Sequence, residues 1–247
     1  MPKKLSLVLR GNTSRSALKA AIFGLFVFLA AAGWPLTVIF IVAAAYFYFQ
    51  PFSKTRPMLS SFLILLVVSL LFVFYPFNEQ WPLRLAVVLI LSFLFFLLLG
   101  IKNLIFVHRQ PLYHLFNNSL MFLVFVAFFL SDKSNFFALK YLLAGLAIFL
   151  LWHEAFRFAL NLGQTAAKVN LLAAGFTFLN LQFFWAVALL PLGFLNSSAL
   201  LLAMVLVMKE SAIHHLNGTL NRQGALKNII IFIASIVVIF AASRWRP

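Results

Sequence analysis

The sequence predicts an all-α fold, a polytopic bundle of eight or nine transmembrane helices, on the strength of three observations. The chain has 247 residues, of which 64% are hydrophobic and only 9% are charged, whereas about 25% of the residues in a soluble domain are charged. Its mean hydropathy is +1.06. Apolar stretches recur from one end of the chain to the other, so lipid is the expected solvent for most of it.

Nine apolar segments approach the roughly 20 residues that a membrane-spanning helix needs. The predicted helices cover 17–33, 35–51, 58–76, 82–100, 112–130, 136–160, 167–193, 198–217 and 228–243. The first two are separated at Gly33-Trp34-Pro35, because proline cannot continue a helix and disfavours helical geometry in the residue before it. Residues 17–51 alternatively form a re-entrant hairpin, which is why the predicted number of spans is eight or nine.

Short polar segments separate the remaining helices. A charged turn covers 53–57, a turn with aromatic residues covers 75–82, and polar links cover 131–135 and 195–198. Because all connections are short, we expect a single transmembrane helical domain at 17–247. A basic cytoplasmic N-terminal segment at 1–16 precedes it.

The distribution of lysine and arginine predicts a cytoplasmic N-terminus, because cytoplasmic loops of membrane proteins are enriched in these residues. With nine alternating helices, 14 of the 19 lysines and arginines lie on the cytoplasmic side. The other five, on the far side, are Arg84, Lys133, Lys140, Arg244 and Arg246. Loss of one of the first two spans would exchange the sides downstream, including that of the C-terminus. The compact arrangement favours a bacterial plasma membrane as the location.

The net charge of +15 and the absence of cysteine limit the function classes. The cations flank apolar segments, as expected for contacts with anionic lipids of the inner leaflet, which are the predicted partners. No loop is long enough for a nucleic-acid-binding module, so nucleic acid is not a predicted partner. Without cysteine, disulfides, thiolate metal sites and cysteine nucleophiles are excluded.

Two of the four acidic residues, Glu154 and Glu210, lie within predicted spans, toward their cytoplasmic ends. An acidic side chain inside a span costs about 2.5–3.5 kcal/mol even on a lenient insertion scale, and such residues usually face the helix bundle or a water-filled cavity. These two glutamates are therefore the first positions at which to look for a function.

Glu154 belongs to a polar stripe on the sixth helix. His153, Glu154, Arg157, Asn161 and Gln164 fall within an arc of about 100° when successive residues are spaced by about 100° around a helix. The other side of this helix is apolar. We call these five residues the α6 stripe.

Glu210 belongs to a similar stripe on the eighth helix. Glu210, His214, Asn217 and Asn221 share a narrow arc, and we call these four residues the α8 stripe. Lys209 points elsewhere, and we expect its ammonium group to extend to the lipid headgroups. Both stripes lie at the cytoplasmic side of the predicted topology, and the simplest packing brings them together.

Four interpretations of the two stripes remain open. In the first, Glu154 with Arg157 and Glu210 with His214 pair on their own helices and only hold the bundle together. In the second, His153, Arg157, Lys168 and His214 bind an anionic lipid headgroup or a small anion. Residues predicted to line this ligand site are His153, Glu154, Arg157, Asn161, Glu210, His214 and Asn217.

The third interpretation is a metal-dependent intramembrane hydrolase. Glu154, Glu210 and His214 are suitable ligands for zinc or a similar divalent ion, and a metal-bound water could then attack a substrate. The sequence has no His-Glu-x-x-His motif, serine-nucleophile motif or glycine-rich phosphate loop. No catalytic residue is predicted, and an enzyme is not the favoured interpretation.

The stretch His153-Glu154-Ala155-Phe156-Arg157 resembles in part the Glu-Glu-x-x-x-Arg motif of the CAAX-protease-like intramembrane metalloenzymes, which are eight-helix proteins. The resemblance extends over helices six to eight only. The stretch has one glutamate instead of two, Arg157 follows Glu154 by three residues instead of four, and no Phe-x-x-x-His follows in the corresponding place. These differences leave the chain outside that family.

The fourth interpretation is transport of a small solute or lipid. Transporters carry their sites near the bilayer midplane, and the polar residues deeper in the seventh helix are Asn180 and Gln182. Both are neutral, and the apolar segments show no two-half repeat. Transport is therefore kept only as an alternative to headgroup binding.

Overall fold

In the computed structural model, residues 2–50, 58–74, 81–103, 105, 109–131, 137–159, 166–216 and 222–242 are described. Within them, every regular element is an α-helix. The nine helices are α1 (Pro2–Ala30), α2 (Trp34–Phe49), α3 (Leu59–Phe74), α4 (Trp81–Lys102), α5 (Arg109–Leu130), α6 (Phe137–Ala159), α7 (Ala166–Ala188), α8 (Phe194–Leu216) and α9 (Arg222–Ala242). The predicted all-α helical bundle is confirmed, and each predicted helix has one counterpart.

The break between the first two helices falls at the predicted position. α1 ends at Ala30, and α2 begins at Trp34 with Pro35 in its first turn. Proline is tolerated there because the first turn of a helix has no internal acceptor for its backbone N–H groups. α2 ends where the Gln50 N–H donates to the Tyr46 carbonyl at 3.1 Å.

Four predicted boundaries were wrong by four residues or more, and one is the start of α9, which lies at Arg222 instead of residue 228. The first of the other three belongs to α1, which begins at Pro2 instead of residue 17, because lysine, leucine and arginine are good helix formers and one glycine does not end the helix. α7 ends at Ala188 instead of residue 193, ahead of Pro191, which could not donate within a helix.

The third boundary concerns the polar link predicted at 195–198, which instead lies inside α8. The Ser198 hydroxyl donates to the Phe194 carbonyl at 2.7 Å. A serine that bonds to the carbonyl four residues earlier is compatible with a helix, so the polar composition of this segment was a misleading loop signal. The predicted turns at 53–57 and 75–80 and the link at 132–135 lie outside the described residues.

Six of the helices are long and apolar enough to cross a membrane, namely α1 from Thr13 onward, α4, α5, α6, α7 and α8. Three others have shorter apolar lengths, at Trp34–Phe49, Leu59–Phe74 and Leu226–Ala241. Large apolar side chains such as Leu171, Val42 and Leu89 are exposed along these helices. Exposure of so much apolar surface to water would be unfavourable in free energy, so the apolar helices indicate an integral membrane protein.

The helix contacts divide the chain into two compact units, Met1–Leu120 and Met121–Pro247. We call them unit 1 and unit 2. The assignment of residues 17–247 to a single domain stays a prediction.

Within unit 1, α1 and α4 pack antiparallel. The Ser92 hydroxyl donates to the Ala20 carbonyl at 2.6 Å, and toward the other end of α1 the Arg84 guanidinium donates to the Phe28 carbonyl. Gly24 permits this close approach, because a Cβ atom there would lie 3.0 Å from the Ser92 Cβ. α2 packs against α1 and α3, and α3 also packs against α4.

Within unit 2, α6 and α7 pack antiparallel. Gly145 of α6 lies beside Leu181 of α7, and nearer the end of α6 the rings of Phe156 and Phe176 are 5.4 Å apart between centroids. α7 also packs against α8, and α8 against α9. The short connection at 189–193 turns the chain back, so the end of α8 lies on the same side of unit 2 as the end of α6.

Candidate functional site

Three residues of the α6 stripe are described, and they occupy the last two turns of α6. His153 is half-buried and stacks on Phe149 with 6.1 Å between ring centroids. Glu154 is also half-buried, and Arg157 is exposed. Asn161 and Gln164 lie outside the described residues. The stripe therefore presents one exposed guanidinium group at the end of α6, next to a partly covered imidazole.

The described part of the α8 stripe consists of Glu210 and His214. The His214 Nε2 and Glu210 Oε1 atoms are 3.9 Å apart, and the two side chains are 48% and 56% exposed. Pairing across one helical turn is what their spacing predicts. Asn217 and Asn221 lie outside the described residues. An exposed pair of this kind contributes about 0–1 kcal/mol to stability, so it does little to hold the bundle together.

The ionisable residue that α8 buries is Lys209, which is only 4% exposed. The expectation that its ammonium group extends outward to the headgroups was wrong. Val205 and Leu201, four and eight residues earlier, are fully buried, so Lys209 continues the packed face of α8 by one more turn. The four-residue spacing of positions 201, 205 and 209 could have predicted that Lys209 is buried. The general preference of membrane-embedded acids for the bundle interior pointed to Glu210 instead.

The structure does not bring the helices of the two stripes into extensive contact within the described residues. α6 packs mainly against α7, and α8 packs mainly against α9 and α7. The meeting of the two stripes therefore stays a prediction. Among the described residues, which include Glu154, Glu210 and His214, no three histidine, aspartate or glutamate side chains form a group that could hold a metal ion. The hydrolase alternative gains no support from this geometry.

Other polar residues of the apolar helices lie in varied environments. On α5, Asn117 is fully buried, whereas His114 and Asn118 are half-buried. On α7, Asn180 is fully buried and Gln182 is exposed. The Asn180 side-chain N–H donates to the Phe176 carbonyl of its own helix at 2.8 Å, so within the described structure its recorded bond does not join two helices.

Sequence reasoning missed two lysines that meet at the end of α2. The Lys102 ammonium, from the last turn of α4, donates to the Tyr48 carbonyl and lies 4.1 Å from the centre of the Tyr48 ring. The Lys19 ammonium, from α1, donates to the Gln50 carbonyl at 3.4 Å. We call these two residues the α2-end lysines. They were assigned to the cytoplasmic side, but no local pattern relates residues 19, 50 and 102.

The local physics of a helix end explains why the lysines lie there. The last carbonyls of a helix have no internal donor, and the helix dipole places about half a negative charge at that end. Lipid cannot supply the missing hydrogen bonds. Two lysine side chains from neighbouring helices satisfy these carbonyls and stabilise the end of α2.

Two clefts in the described structure lie apart from these residues. One, of about 20 Å³, is lined by α1, α3 and α4 residues that include Arg84. The other, of about 500 Å³, is lined by α9 residues that include Gln223 and Lys227. Neither cleft includes a residue of the α6 stripe or the α8 stripe.

Comparison of the chain with protein-family models, with curated proteins and with solved structures finds no match in any of the three.

Proposed function

We propose that the chain is a multi-pass protein of a bacterial-type plasma membrane, with a cytoplasmic N-terminus, and that it binds a phosphate-bearing anion at its cytoplasmic side. The ligand is the headgroup of an anionic lipid or a small anion of the same chemistry. The binding residues are the basic side chains at the ends of α6, α7 and α8, namely His153, Arg157, Lys168 and His214. We call them the basic layer.

The observation that carries this proposal is the exposure of two permanent cations at adjacent helix ends. Arg157 is exposed in the last turn of α6, and Lys168 is exposed in the first turn of α7. α6 and α7 pack antiparallel, so these two ends lie on the same side of unit 2. Guanidinium groups bind phosphate through paired hydrogen bonds, and lysine adds a mobile positive charge.

The acidic residues near the basic layer have a supporting role in this proposal. Glu210 lies 3.9 Å from His214, so its carboxylate orients the imidazole across one helical turn. An anionic lipid is also concentrated at the inner surface of a plasma membrane, where each nearby lysine or arginine contributes about 1 kcal/mol of attraction. The basic layer is therefore suited to a headgroup more than to a neutral solute.

Replacement of Arg157 tests the proposal. The purified wild-type protein should retain anionic phosphatidylglycerol over neutral phosphatidylcholine, and Arg157→Gln should weaken this retention by about tenfold, because a charge-assisted hydrogen bond contributes roughly 1.5–3 kcal/mol. Native mass spectrometry of the protein with each lipid provides the measurement.

The matched control is Lys140→Gln, which removes a cation from the opposite end of the same helix. Lys140 donates to the Ser131 carbonyl at 2.9 Å, at the end of α5. Its replacement should leave phosphatidylglycerol retention unchanged. Equal losses in the two variants would show that the lipid responds to net charge alone, and the proposal would then be abandoned.

A further inference from the structure

The α2-end lysines carry more positive charge than the helix end can compensate. Lys19 and Lys102 contribute two full positive charges, whereas the carbonyl end of α2 supplies about half a negative charge. The two ammonium groups bond to carbonyls only two residues apart in the chain, so their charges repel each other. Among the described residues at this helix end, positive charge therefore exceeds negative charge.

No carboxylate occurs among the described residues of unit 1. The single acidic residue of its sequence, Glu79, precedes α4 by two positions, whereas Lys102 is the last residue of that helix. A helix of 22 residues is about 33 Å long. In sequence, this acid is therefore next to the start of α4, whereas Lys102 is at the other end of the helix.

The ammonium groups also have unused donor capacity. Each ammonium carries three N–H donors. Among the described contacts, Lys19 uses one for the Gln50 carbonyl, and Lys102 uses one for the Tyr48 carbonyl while the Tyr48 ring covers part of its surface. The remaining donors suit an acceptor with several oxygen atoms and a negative charge, which describes a phosphate group.

Of the two lysines, Lys19 on α1 is the more exposed. Lys102 is 5% exposed, whereas Lys19 is half-buried and Arg15 is exposed. Arg15 and Lys19 are four residues apart, so they share one face of α1. An anion that approaches along this face meets the guanidinium first, then Lys19, and then the more deeply placed Lys102.

We propose that Lys19 and Lys102 form a binding site for a phosphate group at the end of α2. The group belongs to an anionic lipid headgroup or to free inorganic phosphate, which share this chemistry. The site uses residues of unit 1 and none of the basic layer, and it rests on the proposed function only in requiring that the chain lie in a membrane. Bound phosphate offsets the repulsion between the ammonium groups and so strengthens the cap on α2.

Lysine protection in the wild-type protein is the first test. The purified protein in neutral detergent is treated with an amine-acetylating reagent, with phosphatidylglycerol, phosphatidylcholine or inorganic phosphate present, and the acetylation of each lysine is measured by peptide mass spectrometry. Phosphatidylglycerol should slow acetylation of Lys19 several-fold, and phosphatidylcholine should not. Protection by inorganic phosphate as well would identify a free-anion site, and protection by the lipid alone a headgroup site.

Replacement of the lysines is the second test. The double variant Lys19→Gln/Lys102→Gln should reduce the retention of phosphatidylglycerol by about one lipid per chain. The single variant Lys19→Arg, which keeps both positive charges, should retain as much lipid as the wild type. Glutamine retains a donor for the α2 carbonyls, and the thermal unfolding midpoint checks that the variant is folded.

The two proposals fail in different ways. If Lys19 is acetylated equally fast with every additive, the lysines serve only to cap α2, and the phosphate site is overturned while the basic layer is untouched. Arg157→Gln should leave the protection of Lys19 unchanged. Loss of lipid in Arg157→Gln with full protection of Lys19 supports both sites. Unchanged lipid retention in Arg157→Gln with full protection of Lys19 supports the lysine site alone.

Discussion

At the scale of single residues, the interior of unit 2 contains polar atoms whose hydrogen bonds are incomplete. Trp152 is fully buried and stacks near Phe156 and Phe176, at 5.2 and 4.9 Å between centroids. Among the described residues, its indole N–H has no acceptor and the Asn180 side-chain oxygen has no donor. A buried polar group without a partner costs about 1–3 kcal/mol, so the packing of the indole ring is what keeps Trp152 in place.

Substitution of Trp152 should separate packing from hydrogen bonding. Trp152→Phe should leave the free energy of unfolding unchanged or raise it slightly, because an apolar ring removes the unsatisfied N–H. Trp152→Ala should lower it by roughly 3 kcal/mol or more, because it leaves a cavity. Denaturant or thermal unfolding in detergent measures both.

The control for these variants is Trp185→Ala on α7. Trp185 is 59% exposed, so its removal should change the free energy of unfolding by no more than about 0.5 kcal/mol. A loss of stability in Trp152→Phe as large as that in Trp152→Ala would mean that the indole N–H has an acceptor outside the described residues.

At the scale of one helix, α8 shows how packing sets the rotation of a helix about its axis. Leu201, Val205 and Lys209 form its buried stripe, and Glu210, one position further along, is exposed. A helix turns by about 100° per residue, so a choice between positions 209 and 210 decides whether an ammonium or a carboxylate enters the packed interior. The contacts of α8 with α7 and α9 make that choice.

Labelling of single cysteines tests this rotation, and the chain has no native cysteine to interfere. Glu210→Cys should react several-fold faster than Lys209→Cys with a water-soluble maleimide, because the first position is exposed and the second is buried. The reaction rate is followed by the mass of the intact protein. A faster reaction at position 209 would mean that α8 is rotated by about one residue from the orientation described here.

At the scale of the whole molecule, the described apolar helices fall into longer and shorter ones. The apolar helices of 16 residues, α2 and α3, are about 24 Å long, and the 22-residue helices α4 and α5 are about 33 Å long. The hydrocarbon core of a bilayer is about 30 Å thick. The shorter helices can still cross if the bilayer thins or if flanking residues extend to the headgroups.

The predicted topology counts every helix as a span. Insertion of reporters that signal the side of the membrane tests it. Reporters at positions 54, 105 and 222 should give cytoplasmic signals, because these connections carry the excess of lysine and arginine. Reporters at positions 79 and 132 should give far-side signals and serve as controls. A far-side signal at 54 would exclude a cytoplasmic location for the connection between α2 and α3, and reversal at all later positions would mean that one early helix does not cross.

Local sequence was sufficient for the class of fold and for most helix positions. Apolar length, proline at position 35 and the short polar breaks act within a few residues, so eight of the nine predicted starts lie within about six residues of those in the structure, α1 being the exception. The serines at 197 and 198 were misread as a link, since a hydroxyl such as that of Ser198 bonds within the helix only once the helix has formed.

Tertiary structure alone decided which polar groups come together. The acids stand out in the sequence as rare residues within apolar helices, but Lys209 is the ionisable residue that α8 buries, and the contacts with α7 and α9 set which face of α8 is buried. Lys19 and Lys102 reach the end of α2 from 31 and 54 residues away in sequence. The cost of an open helix end in lipid draws distant cations to it, and only the packing of α1, α2 and α4 determines which cations arrive.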